Sequence, residues 1–290
     1  MKSTGQKSYL SREATEVGCA GLVGGTALNL YTHREHAAGS SFKMDGPFYC
    51  AICKSDAILH KCTEKIDHFS HIARLSPVLG PLESALHQNC KNEICTALAE
   101  RHPDGKWAVE RQIRANLEHN IPELRPDISG RISQHRVAIE VQASALTPTK
   151  IINRSQAYAR RGIALLWLVP LHEPLGLEPI RPRLFERYIH SIYYGRIYYW
   201  WPGRRHSLLP VHFGPASRHV EFRVWLEDGE EQERGGYDAE YKIIKTPLRG
   251  PELLIDDDFE VRLRTEFSPE NERKTVPECR IWMDKVREWW

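Results

Sequence analysis

Apolar and polar positions alternate most cleanly between Arg136 and Gln142, where Val137, Ile139 and Val141 face one way and Ala138, Glu140 and Gln142 the other. That period of two predicts a strand. Two segments before it, Trp107 to Ile113 and Leu124 to Ser129, also read as strands. Further upstream, Leu82, Leu86, Ile94 and Leu98 recur at helical spacing behind Pro81, and His102-Pro103-Asp104-Gly105 closes that helix. Downstream, Thr147-Pro148 supplies an N-cap and a first-turn proline for a second helix through Ile151, Ile152, Ser155 and Tyr158 to Gly162. The run Ile163 to Val169 is apolar throughout, as in a strand covered on both faces. Helix, three strands, helix, strand predicts an α/β core with a mixed sheet.

The flanks differ. Residues 1–46 are rich in Gly, Ser and Ala and hold no sustained period, with only Ala27 to Tyr31 apolar enough for a strand or a helical turn. From Phe48 to His71 the chain is dense in Cys and His and rich in turns, like a small metal-bound knuckle. After Pro170, aromatics cluster at Tyr193, Tyr194, Tyr198, Tyr199, Trp200 and Trp201, which predicts packing in a hairpin around Gly195 or Gly203. The stretch Trp225 to Gly236 reads as a solvated connector.

Composition narrows the class. The 290 residues are 41% hydrophobic and 27% charged, which excludes wholesale disorder, collagen and coiled coil. Net charge is only +2, so a polyanion site has to be local. Gly162 to Pro170 is too short to cross a bilayer, and the first ten residues lack the build of a signal peptide. Seven cysteines, two of them as Cys50-x-x-Cys53, fit a reducing, cytoplasmic setting and a metal better than a disulfide framework.

Three constellations can carry chemistry. Cys50 and Cys53 followed by His68 and His71 offer two thiolates and two imidazoles, a closed tetrahedral set for a structural Zn²⁺, with His60 or Cys62 as alternative ligands. Pro126-Asp127 precedes Glu140-Val141-Gln142 by a hairpin's length. If the strands pair, Asp127 ends beside Glu140, and the two carboxylates with the Val141 carbonyl make a hard oxygen site for Mg²⁺. Such an ion can polarise a phosphodiester and activate a water; the bland alternative is two solvent-facing acids. Third, Glu83, His87 and Lys91 form an i, i+4, i+8 stripe, either a solvated face or a group overhanging the carboxylates.

The order CAIC, HFSH, LESALHQNCK, RPDI, IEVQAS, NRSQAY and ALLWLV resembles the competence protein CoiA-like family of bacteria, over Phe48 to Pro170 and more faintly over Tyr193 to Phe213. The resemblance implies an α/β fold of the PD-(D/E)XK restriction-endonuclease-like kind. It divides the chain into an extension (1–46), a zinc knuckle (47–76), a nuclease-like core (77–172) and a C-terminal region (173–290). It further implies that Asp127 and Glu140 bind Mg²⁺ (or Mn²⁺), that Gln142 stands where a lysine is usual, and that Glu83 is the first-helix acid. Glutamine can hydrogen-bond a water or phosphate oxygen but carries no charge, which leaves Lys91, Arg154 or the metal alone to supply one.

The expected function is a metal-dependent DNA endonuclease acting in DNA uptake and recombination or on foreign DNA, with protein partners in those pathways. Arg125, Arg131, Arg136, Arg154, Arg160 and Arg161 are candidates for a local basic footprint. The alternative from another class is a DNA-binding protein that keeps the nuclease fold with little or no turnover.

Overall fold

The computed structural model describes residues 22–51, 56–63, 66–71, 85–116, 121–143, 146–220, 222–227, 229–268 and 275–290. The chain divides into two compact units, one of Met1–Arg74 with Ala216–Lys242 and one of Leu75–Pro215 with Ile243–Trp290.

In the first unit, six short strands form one antiparallel sheet: β1 (Leu22–Gly24), β2 (Thr26–Asn29), β3 (Glu35–Ala37), β4 (Phe48–Tyr49), β5 (Asp56–His60) and β6 (His68–His71), in the order β1-β6-β5-β4-β2-β3. The stretch before Gly46 thus supplies half the strands of the sheet that carries the Cys/His segment. Strands of three or four residues are too short to write a period; of the three, only β2 falls on an apolar patch, Ala27 to Tyr31, that reads as a strand or a helical turn. Ala27, Ala38, Phe48, Ala57, Leu59 and Phe69 make the unit's small core.

The second unit opens with α1 (Ala85–Arg101), which buries Cys90, Lys91, Ile94, Ala97 and Leu98 and stops before Pro103. Of the expected strand Trp107 to Ile113 only β7 (Ala108–Val109) forms. Glu110 takes a left-handed backbone conformation (φ 49°), which ends the strand, and Ile113 makes an isolated bridge to Leu124. Next, β8 (Ile128–Ile132) and β9 (His135–Val141) form the expected antiparallel hairpin, Ile128 opposite Ile139. The proline at 126 offers no N–H, and the ladder begins two residues after it. Then α2 (Pro148–Arg160) starts at Thr147, whose Oγ1 accepts the Lys150 N–H, and β10 (Ala164–Pro170) is buried at every residue.

The unit continues through α3 (Leu184–Ile192), β11 (Ile197–Trp200), β12 (Ser207–Val220), the hairpin β13 (Arg223–Glu227) and β14 (Glu230–Arg234), β15 (Tyr237–Arg249), β16 (Leu253–Leu254), β17 (Phe259–Arg264) and β18 (Cys279–Asp284), with β13 and β14 falling in the first unit. Among the described residues the large sheet has ten strands, with the spine β15-β12-β11-β10-β9-β8-β7. The strands β9, β10 and β11 run parallel, joined by α2 and α3; β8 and β12 run antiparallel to their neighbours. The chain is therefore α/β with a large mixed sheet and few helices.

The aromatic run packs as expected: Tyr198, Tyr199 and Trp200 are fully buried, and the hairpin turns at Gly203 (φ 85°). Tyr198 donates to Asp284 (2.5 Å) and Tyr199 to Glu186 (2.8 Å), so each hydroxyl is satisfied inside. The supposed connector at 225–236 is instead the β13–β14 ladder, which turns at Gly229 (φ 86°). Its charged composition hid it, because a two-stranded ladder is held by backbone hydrogen bonds and needs no continuous apolar face.

Candidate functional site

The β8–β9 register brings the residue before Ile128 opposite the residue after Ile139, and so Asp127 meets Glu140. Asp127 Oδ2 accepts the Val141 N–H at 2.8 Å, which ties the start of one strand to the end of the next. β8 and β10 pair both edges of β9, and Arg154 and Tyr158 of α2 cover the face that carries Glu140. Glu140 is 1% exposed and the Asp127 side chain 20%, so these are not two acids in solvent; Gln142 beside them is buried too. Gln142 is held at the strand end by its N–H to the Leu168 carbonyl (2.8 Å).

The two helices close on the acids from either side of the hairpin in sequence. From α2, Arg154 and Tyr158 stand one turn apart and take one Glu140 oxygen each: Arg154 Nη1 lies 2.9 Å from Oε2, and the Tyr158 hydroxyl donates to Oε1 at 2.5 Å. From α1, His87 Nε2 lies 3.6 Å from Asp127 Oδ2. One turn on, Lys91 is 1% exposed and its Nζ binds Glu110 Oε1 at 2.6 Å. Arg125 closes on the other Glu110 oxygen, and the Glu110 N–H donates to the Asp127 carbonyl (3.0 Å). The His87–Lys91 stripe therefore overhangs the acid pair.

This packing splits the two carboxyls. Burial raises Glu140 from about 4.5 to about 8; the neighbouring Asp127 charge adds to the rise and Arg154 opposes it without cancelling it. Burial also pushes Asp127 up, but hydrogen bonds from His87 and the Val141 N–H, with the charges of His87 and Lys91, outweigh it and leave the carboxyl below its usual range. Tyr158, raised by burial and then by Glu140, stays a protonated donor. At neutral pH the pair holds one proton and one negative charge. Two adjacent carboxylates sharing a proton are a donor set suited to a hard divalent cation, which prefers oxygen and takes the place of the proton.

Other expected residues fare differently. Glu83 and Cys53 lie outside the described residues, and only the backbone of His71 is described. Cys50 is buried, while His68 Nδ1 lies 3.0 Å from the Ile66 carbonyl and 3.9 Å from Cys62 Sγ, with the His60 ring stacked on it at 5.0 Å. Among the described residues, no three Cys, His, Asp or Glu side chains gather in a metal cage. Of the six arginines considered for a basic footprint, four are committed within the protein. Arg154 and Arg125 pair with Glu140 and Glu110, while Arg136 and Arg161 bind the backbone carbonyls of Arg161 and of Arg114 and Pro122.

Comparison with known proteins matches a part of each unit. Residues 31–76 match the profile "Competence protein CoiA, N-terminal domain", and residues 83–176 match "Competence protein CoiA, nuclease-like domain". The chain carries the N-terminal and nuclease-like domains of the competence protein CoiA family. It is similar to the competence protein CoiA of Bacillus subtilis (strain 168), 25% identical over 125 residues that take in 42% of this chain and 31% of that protein. No solved structure matches the chain. In this CoiA-family chain the nuclease-like match contains the acid pair and each residue that touches it, from His87 to Tyr158. Sequence reading missed two of those contacts, Tyr158 and Glu110. The i, i+4 spacing of Arg154 and Tyr158 was a signal for the first; nothing local marks the second, which arrives from a loop.

Proposed function

We propose that this chain is a metal-dependent DNA endonuclease with a PD-(D/E)XK-like core, hydrolysing phosphodiester bonds at Asp127 and Glu140. The observation that carries it is the β8–β9 register that sets Asp127 opposite Glu140, with the Glu140 carboxyl buried beneath α2. A Mg²⁺ or Mn²⁺ held by Asp127, Glu140 and the Val141 carbonyl supplies charge neutralisation and an acidified water. Around it, Tyr158 and Arg154 orient Glu140, and His87 with the Val141 N–H orients Asp127. Gln142 hydrogen-bonds a water or phosphate oxygen, and Glu83 contributes a further acid. A structural Zn²⁺ on Cys50, Cys53, His68 and His71 stabilises the N-terminal unit. The setting is cytoplasmic processing of DNA, in uptake and recombination or against foreign DNA, with protein partners there. No helix among the described residues is long and apolar enough to cross a membrane.

The second reading, a nuclease fold that binds DNA with little turnover, draws on Gln142 in place of a lysine and on Glu140 having both oxygens engaged. Supercoiled and single-stranded DNA with Mg²⁺, Mn²⁺ or EDTA separate the two. Metal-dependent nicking absent from an Asp127→Ala control supports the enzyme, and retention without cleavage supports the binder.

Two smaller predictions follow from the proposed ligands. Gln142→Lys places a cation beside an acid pair that already carries net negative charge, so the fold is expected to survive and cleavage to stay within about tenfold, with a shift in metal preference. Complete loss of cleavage in a folded Gln142→Lys chain assigns Gln142 an accepting role that an amine cannot fill. Cys50→Ser is expected to lose zinc and thermal stability together, because metal affinity at such sites is folding free energy. Wild-type protein without zinc by elemental analysis refutes that ligand set.

A further inference from the structure

The two oxygens of Glu140 are engaged by groups of different kinds. Oε1 accepts the Tyr158 hydroxyl at 2.5 Å, and Oε2 lies 2.9 Å from Arg154 Nη1. A neutral hydroxyl leaves its oxygen able to accept elsewhere, because a carboxylate oxygen has more than one acceptor position. A guanidinium is a different neighbour. It brings a full positive charge to the oxygen that a divalent cation on the acid pair would use, and two cations on one carboxylate repel at close range.

Exposure decides which partner can yield. Tyr158 is fully buried, so its hydroxyl has no water to turn to. The Arg154 side chain is 41% exposed, and on α2 the residue stands between exposed Asn153 and buried Ser155, at the boundary of the core. Its head group can leave Glu140 for water on a long stem. The other cation considered for the charge that Gln142 lacks is Lys91. It is 1% exposed with its ammonium 2.6 Å from Glu110, so reaching a phosphate would break a buried ion pair at high cost. Arg154 reaches one by giving up a half-exposed contact that a metal ion already displaces. Its planar fork also matches the oxygens of a phosphodiester.

We propose that Arg154 is an exchangeable latch on the acid pair: it holds Glu140 until a divalent cation takes that carboxylate, and it then binds a phosphate oxygen of the DNA beside it. This rests on the nuclease reading for both the cation and the substrate. Metal and DNA each take one end of a single ion pair, so each strengthens the binding of the other by the same factor.

The test reads affinities of the full chain rather than turnover. In a calorimetric titration at pH 7 without DNA, Arg154→Gln is expected to bind Mn²⁺ about fivefold or more tightly than the wild type, because a competing cation is gone. A residue that only orients Glu140 gives the opposite sign. A labelled duplex is then bound in EDTA and in Ca²⁺, a hard cation with the same preference for oxygen. Arg154→Gln should match the wild type in EDTA. In Ca²⁺ it should bind about fivefold or more weakly, with a salt dependence lower by about one contact. Arg154→Lys keeps a cation and should recover part of that loss. Arg154→Met, which keeps the apolar stem, takes the place of the glutamine variant if that one melts early.

Weaker or unchanged Mn²⁺ binding in Arg154→Gln overturns the latch. So does a loss of duplex affinity that is equal in EDTA and Ca²⁺, the mark of a fixed surface contact, and so does no loss in either. The nuclease reading fails separately. A chain with the expected affinities that never cleaves loses the nuclease assignment and keeps the latch, while a chain that cleaves with Mn²⁺ binding indifferent to Arg154 loses only the latch.

Discussion

Glu140→Gln is expected to lose metal-dependent cleavage by about 10³-fold or more, the scale of removing a directly acting group, while gaining stability at alkaline pH. In the wild type, burial and Asp127 hold the Glu140 carboxyl protonated up to about pH 8, against an ordinary value near 4.5. The folded chain therefore binds a proton that the unfolded chain releases. Stability from this group is fully present below about 4.5 and declines as pH rises to about 8, by at most about 1.4 kcal/mol per pH unit. Glutamine copies the shape of the protonated acid and can still accept from Tyr158, so the variant lacks that decline. Urea unfolding at pH 5 and pH 8 reads the difference. The variant should gain on the wild type by a few kcal/mol over that span, and parallel curves would mean that Glu140 is not held protonated. Asp127 has the opposite sign. Its lowered carboxyl contributes stability above its ordinary value near 3.8 that is lost as pH falls through the lower folded value.

Lys91→Met is expected to destabilise the fold by roughly 2–4 kcal/mol, somewhat below the usual cost of breaking a fully buried pair because Glu110 keeps some solvent. Lys91 is buried and its ammonium sits 2.6 Å from Glu110, so removing it takes away the buried cation and leaves a partly exposed carboxylate with the exposed Arg125. Methionine fills the stem's volume, which isolates the charge from the packing. A lysine on a solvated helix face would cost less than about 0.5 kcal/mol. Chemical denaturation at neutral pH distinguishes the two. Because the Lys91 charge also helps hold Asp127 ionised, the acid limb of stability should move to higher pH in the same variant.

Much of the core was legible before the structure. The alternation in Arg136 to Gln142, the Thr147-Pro148 cap and the apolar run after Gly162 each correspond to an observed element, and the hairpin joins Asp127 to Glu140. What alternation does not report is whether the polar face of a strand is covered. The side of β9 that carries Glu140 is as buried as the other, with Arg154 and Tyr158 of α2 bound to the carboxyl, and that cover turns a plain acid into one titrating near 8. Glu110 was invisible for a different reason: it reaches Lys91 across 19 residues from an irregular segment. Apart from β2, where the apolar patch Ala27 to Tyr31 already reads as a strand or a turn, the N-terminal strands and the β13–β14 ladder have no such signal, because two to five residues of backbone pairing need no apolar stripe. Of the arginines near the acids, four bond to groups within the protein, and their positions in the sequence do not report those partners.

Titrating Mn²⁺ into the full chain at pH 7, in two buffers of different ionisation enthalpy, tests the acid pair most directly. The pair holds one proton on Glu140 at that pH, so binding of an ion there should release close to one proton, and affinity should rise with pH up to about 8. Asp127→Asn should bind the ion far more weakly, and Glu140→Gln should release no proton. Tight binding in Asp127→Asn, or binding to the wild type with no proton release, would contradict a metal centre at Asp127 and Glu140.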